Sequence, residues 1–181
     1  QKYDYEVLIV DDGSTDGSLE FVKKFTKGNT KFKLIENSHT GKAGAVTTGM
    51  LKATGDYILF TDMDQATPIE EIEKLLPFTQ KFMSATRQGF DIVIGSRRKT
   101  RTGAPWTRKI MGTGMIVLRT TLVGLPDIED TQCGFKLFSK DSAHTVFEKI
   151  KKIHNGFKNI DRSSVTAGFD VELLYIATKE G

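Results

Sequence analysis

Apolar and polar positions along the chain switch repeatedly between a two-residue and a helical period. Glu6-Val-Leu-Ile-Val10 is an almost unbroken apolar run of strand formers and reads as a buried strand. The turn formers Asp11-Asp-Gly-Ser-Thr-Asp-Gly17 end it. Ser18 to about Lys27 then reads as a helix, with Asp16 or Thr15 near its N-cap. Lys31-Phe-Lys-Leu-Ile-Glu36 alternates as a second strand. Gly44 to Ala53 reads as a short helix, with Gly55 as its stop signal. A third strand runs from Asp56 and ends at Asp62. Pro68 suits the first position of a helix through Ile69, Ile72, Leu75 and Leu76. Asp91-Ile-Val-Ile-Gly95 is a fourth strand, and the spacing from about Thr107 to Val123 predicts an amphipathic helix. Phe135-Lys-Leu-Phe138 is a short strand, Asp141 the expected cap of a helix to about Ile150, and Phe169 to Thr178 a last helix.

Strands alternating with helices predict an α/β layer fold with a largely parallel sheet. A chain of 181 residues, 38% hydrophobic, is large enough for one domain with its own core, and no internal repeat or low-complexity tract divides it. The expectation is one domain over residues 1–181. The net charge of +3 is too mild to argue for nucleic acid, yet it is compatible with an anionic ligand or a membrane surface. Its positive part bunches at Arg97, Arg98, Lys99, Arg101, Arg108 and Lys109, a window that could equally be a solvated loop. Cys133 is the one cysteine, so no disulfide can form within these residues, which fits a reducing compartment. No His or other base is linked to it by motif, and it reads as a small buried thiol. His39, His144 and His154 are scattered and read as surface or structural residues. No run is long and apolar enough to span a bilayer.

In parallel α/β sheets ligands bind beyond the carboxyl ends of the strands. Asp11-Asp12-Gly13-Ser14, Asp62-Met63-Asp64 and Gly95-Ser96-Arg97-Arg98 all fall at such ends. Strand alternation puts Asp62 and Asp64 on one face, where like charges repel unless a cation lies between them. Mg²⁺ and Mn²⁺ prefer oxygen ligands and are typically held by one or two carboxylates plus substrate phosphates. A lone D-x-D is more often a solvated turn, as is a lone Asp-Asp. The ordered combination is what points to a metal that clamps a diphosphate. Gly41-Lys42-Ala43-Gly44 opens a helix, where close backbone approach and the helix N-terminus favour anions, although the P-loop spacing is absent. Arginine suits a further phosphate because its planar fork donates two hydrogen bonds at once.

Taken in order, Asp11-Asp-Gly-Ser-Thr-Asp-Gly-Ser18, Gly41-Lys-Ala-Gly-Ala45, Asp62-Met-Asp64 and Ile94-Gly-Ser-Arg97 resemble the motifs of family 2 inverting glycosyltransferases of the GT-A (Rossmann-like) fold. Asp130-Thr-Gln-Cys-Gly-Phe-Lys-Leu-Phe138 and Phe169-Asp-Val-Glu-Leu-Leu-Tyr-Ile-Ala177 resemble the branch that glycosylates polyprenyl phosphates, above all dolichyl-phosphate β-glucosyltransferases, with dolichyl-phosphate mannose synthases nearby. The resemblance covers nearly the whole chain. It implies transfer of a hexose, glucose from UDP-glucose, onto a polyprenyl phosphate at the cytoplasmic face of a membrane, with inversion and with Mg²⁺ or Mn²⁺ as cofactor. It implies that Asp12, helped by Asp11, contacts the nucleoside, with Lys42 also on the donor side. Asp62 and Asp64 would be the metal motif, Arg97 and Arg108 would meet the acceptor phosphate, and Asp130, Gln132 and Gly134 would line the sugar side.

The sequence departs from the family pattern in places. The opening strand with its Pro-Ala-Tyr-Asn-Glu-like end is missing, so a longer native protein is expected. The Gly-Lys-Gly of the family is Gly41-Lys42-Ala43 here, Thr47 stands where an Arg commonly follows, and Gly168 precedes Phe169 where an aromatic or small residue is frequent. Three competing readings remain open from residues alone: a GDP-mannose-dependent mannose synthase, a sugar nucleotidyltransferase, and a binding module without turnover. The nucleotidyltransferase would carry a Gly-rich basic signature near its start, and none is visible.

Overall fold

The computed structural model describes residues 2–79, 89–96, 128, 130–157 and 168–180. Five strands and five α-helices follow one another along it. They are β1 (Val7–Asp11), α1 (Ser18–Lys27), β2 (Phe32–Glu36), α2 (Gly41–Lys52) and β3 (Tyr57–Thr61), then α3 (Ile72–Leu75), β4 (Ile92–Ile94), β5 (Phe135–Ser139), α4 (Lys140–Ile153) and α5 (Phe169–Glu180). The expected amphipathic helix from Thr107 to Val123 lies outside the described residues.

β1 and β2 pair in parallel, from Val7 opposite Phe32 to Asp11 opposite Glu36. β5 lies between β3 and β4 and runs antiparallel to both, so β3 and β4 share one direction. Side-chain alternation along β5 then divides the core. Phe135 and Leu137 join Leu75 and Leu76 of the α3 region on one face. Phe138 faces the other way, into a larger cluster with Ile58, Phe60, Phe147, Ile150 and Leu173. α2, α4 and α5 cover that second face, which makes this a layered α/β fold as the strand–helix alternation predicts. Phe138 and Phe147 are both fully buried and meet edge to face, with ring centroids 5.6 Å apart. α2 packs against both β1 and β3 and joins the two ladders.

Several boundaries differ from the sequence expectation, each for a local reason. α2 starts at Gly41 and not at Gly44, because the Asp12 carboxylate accepts the otherwise unpaired N–H groups of Thr40 and Gly41. α1 is capped by Gly17 at φ 89°, without a side-chain cap of its own. Asp16 still helps one residue earlier, accepting the Ser18 N–H at 3.0 Å. The helix expected after Pro68 is only one α-turn, flanked by 3-10 turns at Ile69–Glu71 and Leu76–Phe78. Pro77 explains its shortness, since it lacks an N–H and clashes with the preceding turn. Ser139, not Asp141, caps α4: its Oγ accepts the Ser142 N–H at 3.3 Å, and Asp141 sits inside the first turn.

Candidate active site

The ends of β1 and β3 singled out in the sequence meet at the entrance of α2 by different structural solutions. At the end of β1, Asp11 folds back on its own turn. Its Oδ2 accepts the N–H groups of Gly13 and Ser14 at 3.0 and 3.1 Å. Hydrogen bonding from Ser14, the side chain above all, holds the Asp11 carboxyl below its ordinary range. Asp12 is spent on the neighbouring loop. Its Oδ1 accepts from Asn37 Nδ2 at 3.0 Å and from the Thr40 N–H at 2.8 Å, while Oδ2 accepts the Gly41 N–H at 2.7 Å. The His39 ring Nδ1 lies 2.7 Å from the Asp12 carbonyl, which makes this histidine structural, as its isolation in the sequence suggests. One carboxylate therefore locks the entrance of α2, and with it the Gly41-Lys42 segment, to the end of β1.

Lys42 reaches from that segment to the end of β3, where its Nζ lies 3.1 Å from Asp62 Oδ1. The same ammonium lies 5.6 Å from the centre of the Phe60 ring. Asp62 continues the β3–β5 ladder by one step, donating its N–H to the Gly134 carbonyl at 3.2 Å. Gly134 has no side chain for a reason: a Cβ there would overlap Asp62 Oδ2. Gly134 thus belongs against the Asp62 carboxylate itself. Strand geometry ends at Thr61, however. Asp62 to Gln65 form a turn in which Met63 is 74% exposed and Asp64 Oδ1 accepts the Ala66 N–H at 3.0 Å. Strand alternation therefore orients only Asp62, and the turn sets the direction of Asp64.

Hard oxygen donors at a strand end, with a glycine backbone packed against one of them, fit a divalent ion completed by phosphate oxygens. Among the described residues no three His, Cys, Asp or Glu side chains gather around one point. Among the described residues Asp62 and Asp64 are the carboxylates at this strand end, and one or two carboxylates are the usual protein share of a Mg²⁺ site with a phosphate substrate. Asp130 accepts the Gln132 N–H at 3.2 Å and shapes the turn that leads to Gly134. Cys133 is buried, as expected, with its sulfur against Gly95 at the end of β4. Arg97 and Arg108 lie outside the described residues.

Residues 1–147 match the family model for glycosyl transferase family 2. The chain belongs to that family. Among family 2 relatives it is similar to a dolichyl-phosphate beta-glucosyltransferase of Drosophila melanogaster, 34% identical over 97% of this chain and 52% of the relative. Proteins of the same description from Saccharomyces cerevisiae and Homo sapiens are 33% and 32% identical, each over 97% of this chain, and 53% and 52% of their lengths are covered. The chain spans about half the length of the curated relatives it matches. As a family 2 member it places the expected motifs at the ends of β1 and β3 and on the α2 entrance. Lys136 and Asp170 have no role in the motifs and emerge only from their contact in the structure. Their signal was present as a lysine inside the apolar Phe135–Phe138 run and an aspartate beside Phe169.

Proposed function

We propose that this chain belongs to an inverting hexosyltransferase that moves glucose from UDP-glucose onto a polyprenyl phosphate of the dolichyl type, at the cytoplasmic face of a membrane. The observation that carries the reading is the Asp62 carboxylate at the end of β3, seated on Gly134 and paired with Lys42, in a family 2 chain whose relatives are described as dolichyl-phosphate beta-glucosyltransferases. Asp11 and Asp12 hold the nucleoside side, Asp12 by anchoring the loop from Asn37 to Gly41. Lys42 shifts part of its charge from Asp62 to the donor diphosphate when that ligand enters. Asp62 and Asp64 would hold a Mg²⁺ or Mn²⁺ ion, which would supply neutralisation of the negative charge developing on the leaving diphosphate.

The acceptor explains why no general base is required. A phosphate monoester has a second pKa of about 6 and is largely dianionic near neutral pH. It can attack the anomeric carbon in line, opposite the leaving group, without first losing a proton to the protein. Arg97 and Arg108 grip that phosphate. Asp130 and Gln132, on the turn that runs through Gly134, line the sugar side and set its orientation. The basic window and the apolar positions recurring between Thr107 and Val123 suit an anionic headgroup at a bilayer surface.

A donor screen on the full protein with polyprenyl phosphate tests the reading by scoring released UDP or GDP and the anomeric configuration of the product. UDP release from UDP-glucose with a β-linked lipid product is expected. Release of GDP from GDP-mannose would instead identify a mannose synthase. Binding of UDP-glucose without turnover would identify a binding module.

A further inference from the structure

Lys136 is fully buried in the middle of β5. A buried ammonium is expensive unless it is paired and its donors are satisfied, and apolar residues of similar size often serve stability as well or better. Stability alone therefore gives no reason for a cation at this position. Its contacts suggest another. Lys136 Nζ donates to the Cys133 carbonyl at 2.5 Å and to Asp170 Oδ1 at 2.6 Å, and lies 5.7 Å from the centre of the Phe60 ring. The Cys133 carbonyl belongs to the peptide that leads into Gly134. Gly134 is the residue on which the Asp62 carboxylate rests.

Register strengthens the connection. Lys136 is the ladder partner of Phe60, and Gly134 stands opposite Asp62 two residues further along both strands. Two-residue steps keep the same face. The Lys136 and Phe60 pair therefore lies directly beneath Gly134 and Asp62, and the Lys42 ammonium that pairs with Asp62 also lies 5.6 Å from the centre of the Phe60 ring. Asp170, in the first turn of α5, supplies the counter-charge and ties that helix to the floor of the site.

We infer that Lys136 and Asp170 are a positioning pair: they fix the peptide between Cys133 and Gly134, which in turn fixes Asp62 for the metal-bound diphosphate of the donor. The inference rests on the glycosyl-transfer reading above. It assigns a role to the Phe169-Asp-Val-Glu segment that core packing by Phe169 does not explain.

Calorimetry and thermal melts on the full protein test it, with UDP as ligand in the presence and absence of Mn²⁺. Removing Lys136 alone leaves a partly buried unpaired carboxylate, so the first variant is the double substitution Lys136→Met with Asp170→Leu, which removes both charges. The second is the nearly isosteric Asp170→Asn. Melting temperatures close to or above the wild type are expected for the double variant. Mn²⁺-dependent UDP affinity is expected to fall about 10- to 100-fold, the usual effect of losing a group that orients a ligand from behind. UDP binding without Mn²⁺ should change little, and Asp170→Asn should show a smaller loss of the same kind. Two outcomes overturn the inference: Mn²⁺-dependent affinity equal to wild type in both variants, or losses that are equal with and without Mn²⁺ and track a lower melting temperature. A wild type that binds UDP in neither condition overturns the glycosyl-transfer reading and this inference with it.

Discussion

At Gly134 the tertiary contact is severe enough to set the residue type, since any Cβ would overlap the Asp62 carboxylate. Gly134→Ala should therefore push Asp62 out of place while leaving the core intact. A displacement near 1 Å can cost about 100-fold in turnover, so loss of that order with a near-native melting temperature is expected. Wild-type turnover in Gly134→Ala would show that the seat of Asp62 is unimportant. Asp130 gives the opposite expectation. Loss of a true general base typically costs about 10²- to 10⁴-fold, but an acceptor phosphate that is already ionised needs none. Asp130→Asn should keep turnover on polyprenyl phosphate within a factor of about ten on that basis. A near-total loss with donor and acceptor binding intact would return Asp130 to the role of base. The candidate residues were legible in the sequence because acids and glycines clustered at strand ends. What each one does was not. Asp12 reads as a ligand contact in the motif, yet its carboxylate is engaged by Asn37, Thr40 and Gly41.

Elements join through a few polar ties that no local pattern shows. Glu6, just before β1, bonds Lys33 of β2 at 2.8 Å and both the N–H and hydroxyl of Thr54 beyond α2, at 2.7 and 2.6 Å. The Lys33 hydrogen bond, followed by those from Thr54, lowers the Glu6 carboxyl from 4.5 to about 2. A carboxyl depressed on folding stabilises the native state above its unfolded value and loses that contribution as pH falls toward its folded value. Glu6→Gln should therefore melt below the wild type at neutral pH. The gap should close between about pH 4.5 and pH 2. A gap that persists unchanged below pH 2 would mean that the carboxylate charge is not what holds this corner. The strands and long helices were legible from period alone, usually to within a residue or two. The misjudged ends have specific causes: Pro77 cuts α3 short, Ser139 pre-empts Asp141 as a cap, and Asp12 extends α2 backwards from 29 residues away.

Across the whole molecule, β5 is the strand on which both core and site depend. It separates two apolar clusters, carries Lys136 beneath the site, and begins at the Gly134 turn. Phe147 of α4 packs on Phe138 of β5 in the larger cluster. Phe147→Ala should cost about 3–5 kcal/mol, the usual range for deleting a fully buried aromatic ring. Chemical denaturation would measure it, and a cost below 1 kcal/mol would show that this cluster does not hold α4 to the sheet. The antiparallel course of β5 was not read from the sequence, because apolar alternation reports which residues face a core and not which strand lies alongside. The sequence by itself determined the α/β class, the order of elements and the placement of acidic and glycine-rich turns at strand ends. Those properties follow from local periodicity and turn chemistry. Only the tertiary structure decided that β5 inserts between β3 and β4, that Gly134 meets Asp62, and that Lys136 finds Asp170. Each of these is a contact between residues far apart in the chain, governed by packing space and charge pairing that no short window of sequence contains.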